Sequence, residues 1–314
     1  MTQPLVSIVC LCYRQASFVQ EAFESVWAQT YPNIELIVVD DGSPDDSAEK
    51  IYKLLKDYPE VPFLALPENV GNCRAFNMGL ALCRGKYVID LAADDVLLPE
   101  RVEEGVRALE QAGREFAVHF SDVEYINPHG KRLKTHYKRK ACGTLAEEIP
   151  QGWVYADLLE RYFICTPSMM MRRSVLEELR GYDEGLVYED FDFWVRSARQ
   201  WQYCFTDKVL VKKRILPGSW SSRQYKKGSR HLESTLRVCL KARRLNRSPR
   251  EDEALGKRLS YEIRQAVRSG NLLIALKMLR LKREVWPVWL LDPMVSYLLK
   301  GALLFQKKEP RQIG

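Results

Sequence analysis

The sequence predicts an open α/β sheet covered by helices on both faces, followed by a helical extension, and three observations carry that prediction. Short, mostly apolar runs alternate with amphipathic helical spacing through the first 130 residues. With 46% apolar and 28% charged residues over 314 positions, the chain can fill a sizeable core and lacks the composition of a disordered one. After Ser222 the strand signals stop and basic helical spacing replaces them.

Leu5 to Cys12 is an apolar, β-branched run, and a strand apolar on both sides belongs in a parallel sheet buried between helices. Ser17 is placed to cap a helix whose Val19, Ala22, Phe23, Val26 and Trp27 share a face. Ile34 to Val39 reads as a second strand, Asp45, Asp46 and Ser47 as the opening of a second helix, and Pro62 to Leu66 as a third strand. Gly71 to Arg84 follows as a helix, Lys86 to Leu91 as a fourth strand, then a helix with Pro99 in its first turn running to about Ala112. A strand at Phe116 to Ser121 completes a repeated strand-helix order, which makes a mostly parallel sheet. Beyond Val123 the order changes. Asn127-Pro-His-Gly130 is a turn between hairpin segments, 131–140 a basic loop, Ser168 to Arg172 and Tyr203 to Leu216 further strands, with a helix starting near Glu189 between them. Thr235 to Leu245, Ala254 to Val267 and Leu272 to Leu281 are basic amphipathic helices. The expected organisation is therefore a domain over 1–222 and a helical extension over 223–314.

Charge is divided along the same line. Residues 1–222 carry 26 Lys and Arg against 33 Asp and Glu, whereas 223–283 carry 18 against 5, within a net charge of +7. An acidic body with a basic extension suggests one part for chemistry and another for attachment to an anionic surface. The eight cysteines show no metal-ligand spacing and read as buried thiols in a reducing cytosol. The N-terminal segment lacks the basic region and cleavage site of a signal peptide, and no apolar run reaches the ~18 residues of a membrane span. A cytoplasmic protein is expected, peripheral at the inner face of the cell membrane.

Ligands of open α/β sheets bind beyond the carboxyl ends of the strands, and the unusual polar clusters fall there. The first strand delivers Cys12, Tyr13 and Arg14, the second D-D-G-S at 40–43, and the fourth Asp94 and Asp95. Taken singly, Asp40 and Asp41 have a lesser alternative reading as a loop with helix-capping acids, and Asp94 with Asp95 as a helix N-terminus before Pro99. Paired acids at a strand tip need a divalent cation, a basic partner or water to compensate them.

Four segments carry a resemblance: V-S-I-V-C-L-C-Y-R-Q from Val6, S-V-W-A-Q-T-Y-P-N-I-E-L-I-V-V-D-D-G-S from Ser25, E-N-V-G-N-C-R-A-F-N-M-G-L-A-L-C-R-G-K-Y from Glu68, and A-D-D-V-L-L-P from Ala93. Their order and spacing resemble the family 2 nucleotide-sugar glycosyltransferases over residues 5 to about 222. The resemblance implies the GT-A fold, a nucleotide-diphosphate sugar donor, UDP-linked before others, and transfer with inversion. By it Asp41 hydrogen-bonds the base, Tyr13 packs on its ring, and Asp94 binds Mn²⁺ or Mg²⁺ bridging the diphosphate. Asp95 assists through the ribose or a metal-bound water, Arg74 contacts phosphate, and Asp190 of the Glu189-Asp190 pair is the base that deprotonates the acceptor. Asp192 is expected to be a cap or solvent-facing acid, and Thr166 to Ser174 an acceptor-side segment. The implied reaction is hexosyl or N-acetylhexosaminyl transfer to a hydroxyl of a glycan or lipid-linked saccharide in cell-surface polysaccharide synthesis. A hard cation on carboxylate oxygens suits a leaving diphosphate, whose negative charge grows as the glycosidic bond breaks.

Three positions depart from the family's pattern. Ala92 stands where an acid precedes the metal-binding Asp, Leu216 where many members carry a His, and Phe76 where many carry an Arg. Those departures keep a second reading open, a catalytically weak nucleotide-sugar-binding or scaffold protein of a glycan-assembly complex. The basic helices favour an anionic membrane surface, and nucleic acid is disfavoured because no reading module accompanies the charge. Val285 to Phe305, apolar but broken by Pro287, Asp292 and Pro293, is expected to be interfacial or core-packing.

Overall fold

A computed structural model describes residues 3–217 and 224–286 of the chain, which form two compact units: residues 1–154 with 163–216, and 155–162 with 217–314. The expected boundary at 222 and 223, and the apolar segment from 287 onward, lie outside the described residues.

The first unit is a mixed open sheet. Strand β1 (Val6–Cys12) is buried at every position, helix α1 (Val19–Trp27) follows, and β2 (Ile34–Asp40) pairs with β1 in parallel, Val6 opposite Ile34 and Cys12 opposite Asp40. Helix α2 (Ser47–Leu54) leads to β3 (Phe63–Ala65), parallel to β2, and α3 (Asn72–Leu80) returns the chain to β4 (Tyr87–Ala92) on the other side of β1. Gly79 of α3 sits against β1 so closely that a Cβ would fall 2.5 Å from Val9 Cγ1. Next come β5 (Val96–Leu97), α4 (Arg101–Ala112), β6 (Phe116–Ile126) and β7 (Arg132–Thr135). After a helix that belongs to the second unit, α5 (Tyr155–Glu160), the sheet resumes with β8 (Met170–Arg172), α6 (Arg173–Glu178), α7 (Asp190–Ser197) and β9 (Gln202–Arg214). The strand order is β3-β2-β1-β4-β8-β6-β9-β5, with β7 on β6. Strands β8, β5 and β7 run antiparallel to their neighbours, and β6 pairs β9 in parallel.

Several local expectations are refined. Ser17 does not cap α1; the Gln15 carbonyl accepts the N–H groups of Phe18 (2.9 Å) and Val19 (3.1 Å) instead. Trp27 leaves the core face and stacks on Tyr58 at 4.4 Å. The segment expected as a basic loop includes β7, and its Arg139 is drawn in by Asp122 (2.6 Å) and Asp207 (2.7 Å). The strand expected from Ser168 begins later, because Pro167 lies in a 3₁₀ turn over Thr166–Ser168.

The second unit is helical. Besides α5 it holds α8 (Arg230–Leu245), α9 (Pro249–Arg268) and α10 (Leu272–Val285). Ser248 caps α9 by accepting the Glu251 N–H, with Pro249 in the first turn and Glu251 and Asp252 at the positive end of the dipole. Helix α5 belongs to this unit because Leu158 and Leu159 are fully buried and the Leu159 carbonyl accepts from Arg258 of α9 (3.2 Å). Arg258 also faces the Tyr162 ring at 3.7 Å and pairs with buried Glu262 (3.3 Å), so a cation inside this core is compensated on three sides. No helix among the described residues is long and apolar enough to cross a membrane.

Candidate active site

Strands β1 and β4 lie side by side in parallel, and the sheet extends to opposite sides of the pair, through β2 and β3 beyond β1 and through β8 beyond β4. The carboxyl ends of such a pair open a crevice because the following connections turn away from each other. The Asp41 N–H donates to Cys12 O and the Ala93 N–H to Leu11 O, both at 2.8 Å, so the segments after β2 and β4 are held against the end of β1. Tyr13 emerges there 41% exposed, with the Arg14 guanidinium 5.6 Å from its ring centre. Arg14 itself has φ +58°, an uncommon conformation for a non-glycine residue, and its N–H donates to Ser43 Oγ (2.9 Å).

The adjacent acids after β2 do different work. Asp40 closes a local turn, accepting from Ser43 N (2.9 Å) and Ser43 Oγ (2.6 Å). Gly42 has φ +62°, and a Cβ there would lie 2.3 Å from the Glu68 carbonyl carbon, so the motif tolerates no side chain at this point. Asp41 is buried and accepts Val70 N (2.7 Å), Gly71 N (3.1 Å) and Asn69 Nδ2 (2.9 Å), which fixes the loop entering α3. Burial raises its carboxyl pKa although the Val70 and Gly71 N–H groups oppose the shift. A carboxylate has about four acceptor positions, so one remains for a ligand.

At the end of β4, Asp95 is nearly fully buried and its Oδ1 accepts the Arg214 N–H at 2.9 Å. Arg214 Nε donates to the Asp94 carbonyl (3.0 Å), its guanidinium lies 4.7 Å from the Phe18 ring, and it pairs with Glu21. This buried arginine locks the end of β9 onto the acidic tip. Burial first, and then the neighbouring Asp94 charge, push Asp95 up to about 7; Asp94 is also raised by burial while Lys213, Arg214 and Gln15 oppose the rise.

The helix α7 side supplies the third cluster. Asp190 is the first residue of α7; its Oδ1 accepts the Phe191 N–H (2.6 Å) and its Oδ2 the Thr166 hydroxyl (3.2 Å). Glu189 accepts from Asn72 Nδ2 at 2.6 Å, and burial, with the Asp190 and Asp90 charges adding, pushes it up to about 8. Gly71 donates to Asp41 and the next residue, Asn72, to Glu189, so a two-residue step links the nucleotide-side acid to the α7 acids. Lys213 closes the ring: its charge acts on Asp94, Asp95 and Asp190 together.

Asp192 corrects an expectation. It is 1% exposed, neither cap nor surface acid, and pairs with Arg196 (2.6 Å), which reaches the carbonyls of Leu179 (2.7 Å) and Gly181 (2.9 Å). Arg74 lies on an exposed side of α3, 3.9 Å from Glu184. Phe76 is fully buried and stacks on Tyr182 at 4.2 Å, whose hydroxyl donates to Asp90 (3.2 Å); it is core, and no cation takes its place.

Among the described residues no group of three or more His, Cys, Asp or Glu is arranged to hold a metal ion. The residues fit a site of the sparser kind, in which one or two carboxylates and substrate phosphates share the cation with water. Asp94, which also accepts a hydrogen bond from Gln15, is the carboxylate that would hold it, since one oxygen of Asp95 is committed to Arg214. Asn72, Asp90, Lys213 and Arg214 were missed in the sequence. A basic pair ending a long strand and an acid two residues before Ala92 were the available signals.

Residues 7–180 match the family described as Glycosyl transferase family 2. An uncharacterized glycosyltransferase of Methanocaldococcus jannaschii is 30% identical over 226 residues, 68% of this chain and 72% of that protein. One of Rickettsia prowazekii is 30% identical over 213 residues, covering 68% of this chain but 64% of its own length, just under two thirds. Among solved structures, S. aureus TarS 1-349 in complex with UDP-GlcNAc superposes with TM-score 0.72 at 16% identity, covering 95% of this chain and 87% of that one. The mannosyltransferase PcManGT from Pyrobaculum calidifontis, in complex with GDP-Man and Mn²⁺, gives 0.57 at 16% identity, covering 98% and 82%. These likenesses show a GT-A fold.

Proposed function

The chain belongs to glycosyl transferase family 2, and from that premise we propose that it is an inverting enzyme using a nucleotide-diphosphate sugar, UDP-linked before others. It transfers a hexosyl or N-acetylhexosaminyl group to a hydroxyl of a glycan or lipid-linked saccharide. One observation supports the reading: the acid after β2 and an acid at the start of α7 are linked through consecutive residues by the Asp41–Gly71 and Asn72–Glu189 hydrogen bonds, while Arg214 holds the end of β9 to Asp95 at the end of β4. The structure of TarS with UDP-GlcNAc supports the choice of donor.

In this reading Tyr13 stacks on the base and the remaining acceptor position of Asp41 takes an N–H of its edge. Asp95 holds the β9 end and assists at the ribose, and Arg74 contacts phosphate when its side chain turns inward. Asp94 holds Mn²⁺ or Mg²⁺, which supplies positive charge beside the diphosphate when bound. Asp190 is aimed by Thr166 and takes the acceptor proton as the acceptor oxygen bonds to the anomeric carbon. The bond from that carbon to the diphosphate breaks with its electron pair leaving on the nucleotide, and attack from the opposite face inverts the configuration. Neighbouring Glu189, whose pKa is near 8, is largely protonated at neutral pH and spares Asp190 a second full charge. We assign the work to cell-surface polysaccharide synthesis at the cytoplasmic face of the membrane, with residues 223–283 contacting anionic lipid, because 18 basic residues there face 5 acidic ones.

The test is a thermal-shift panel of nucleoside diphosphates and nucleotide sugars with Mn²⁺ or Mg²⁺. A ligand at 100 times its Kd adds about 2.7 kcal/mol of apparent stability. At least one nucleotide should raise the wild-type midpoint, and Asp94→Ala should shrink the metal-dependent part of that rise. A flat response across the panel removes the donor assignment.

A further inference from the structure

Lys213 is half-buried on β9, opposite Tyr125 of β6 and one residue before the arginine whose N–H holds Asp95. The Tyr125 hydroxyl lies 3.9 Å from Cys165 Sγ, and the residue after that cysteine, Thr166, donates to Asp190, so Lys213 stands on β9 between the groups that hold Asp95 and Asp190. Yet no carboxylate among the described residues comes within 4.0 Å of its nitrogen, and it makes no hydrogen bond there. A lysine ammonium has three donors, and those of Lys213 are not among the buried polar atoms that lack a partner, so they are open to solvent. The cation stands beside the acids without pairing with any of them, which leaves a gap in its pairing.

The donor fills such a gap. Asp94, Asp95 and Asp190 together would repel a diphosphate, so the crevice admits one only if positive charge stands between them. Where the family resemblance places an acid and a histidine, this chain has Ala92 and Leu216, so a divalent ion would be held by few protein atoms. We propose that Lys213 is a second donor-site cation, binding a diphosphate oxygen of the nucleotide sugar directly and lowering the dependence of donor binding on a metal. This rests on the nucleotide-sugar reading above. The alternative is a purely structural counter-ion for Asp95 and Asp190, and phosphate recognition separates the two.

Calorimetric titration of UDP and uridine, or of the diphosphate and nucleoside chosen by the thermal panel, would be run in EDTA and in Mn²⁺. In EDTA, wild type should bind the diphosphate at least about tenfold tighter than the nucleoside, the size of one charge-assisted hydrogen bond. Lys213→Met should lose most of that ratio in EDTA while keeping nucleoside affinity, regain part of it in Mn²⁺, and Lys213→Arg should retain it. Equal wild-type affinities for diphosphate and nucleoside in EDTA overturn the proposal without needing any variant. So does an unchanged ratio in a folded Lys213→Met protein. If wild type binds neither compound under either condition, the nucleotide-sugar reading falls along with this one; if it binds both normally and the variant matches it, only the role of Lys213 falls.

Discussion

Two carboxyls one residue apart, Glu189 and Asp190, are held by different partners, and that difference makes a division of labour available. Asp190 receives a hydroxyl from Thr166 and a backbone N–H, whereas Glu189 faces Asn72, Asp90 and the interior. The raised Glu189 pKa has a consequence for stability. The unfolded chain releases this proton near 4.5, and the folded protein keeps it to about 8. Across that window the folded state binds more protons, so stability is fully present below it and falls as pH rises through it. Glu189→Gln, which keeps the oxygen that Asn72 needs, should come nearest wild type in unfolding midpoint at about pH 4, below the window, and exceed it at about pH 8.5, both by calorimetry. A midpoint difference independent of pH would refute the assignment. At this scale the sequence singled out Asp41, Asp94, Asp95 and Asp190, because each stands in a short local pattern at an element's end. It could not reveal Asn72 or Lys213, whose meaning comes only from partners 117 residues away in one case and from β9 folding back beside β4's tip in the other.

Helix α7 shows how an element that is correctly anticipated can still hide its chemistry. Its start beside Glu189 was legible from the apolar spacing of Phe191, Trp194 and Val195, all buried. The direction of Asp192 was not, because an acid in a first turn ordinarily serves the dipole. Here its partner four residues on, Arg196, turns inward to the 179–181 carbonyls and takes Asp192 with it. Removing only the cation breaks a buried ion pair from one side, a change that costs about 3–5 kcal/mol. Arg196→Met should therefore lower the unfolding free energy obtained from denaturant titration by that amount, and the double change Asp192→Asn with Arg196→Met should recover a good part of it. A loss within about 0.5 kcal/mol, the range of ordinary surface substitutions, would show that the pair is not a buried one. The same limit explains α5: its apolar residues were visible, but nothing local told that Leu158 and Leu159 serve the helical unit rather than the sheet.

For the whole molecule, the parallel core β3-β2-β1-β4 was readable from four mostly apolar runs, since strands of a sheet covered by helices leave that mark. The antiparallel additions β5 and β8 were faint or displaced because two- and three-residue strands carry almost no periodicity. On the proposed reading, this architecture serves to set acids from three separate elements around the donor, with Asp190 aimed by Thr166. The central claim is that Asp190 removes the acceptor proton during sugar transfer. The most direct measurement is nucleoside diphosphate release from the nucleotide sugar chosen by the thermal panel, with acceptor glycan present, in wild type and Asp190→Asn. Release slowed about 10²- to 10⁴-fold, with donor affinity within about twofold of wild type, is the predicted result. Equal rates in the two proteins would contradict it.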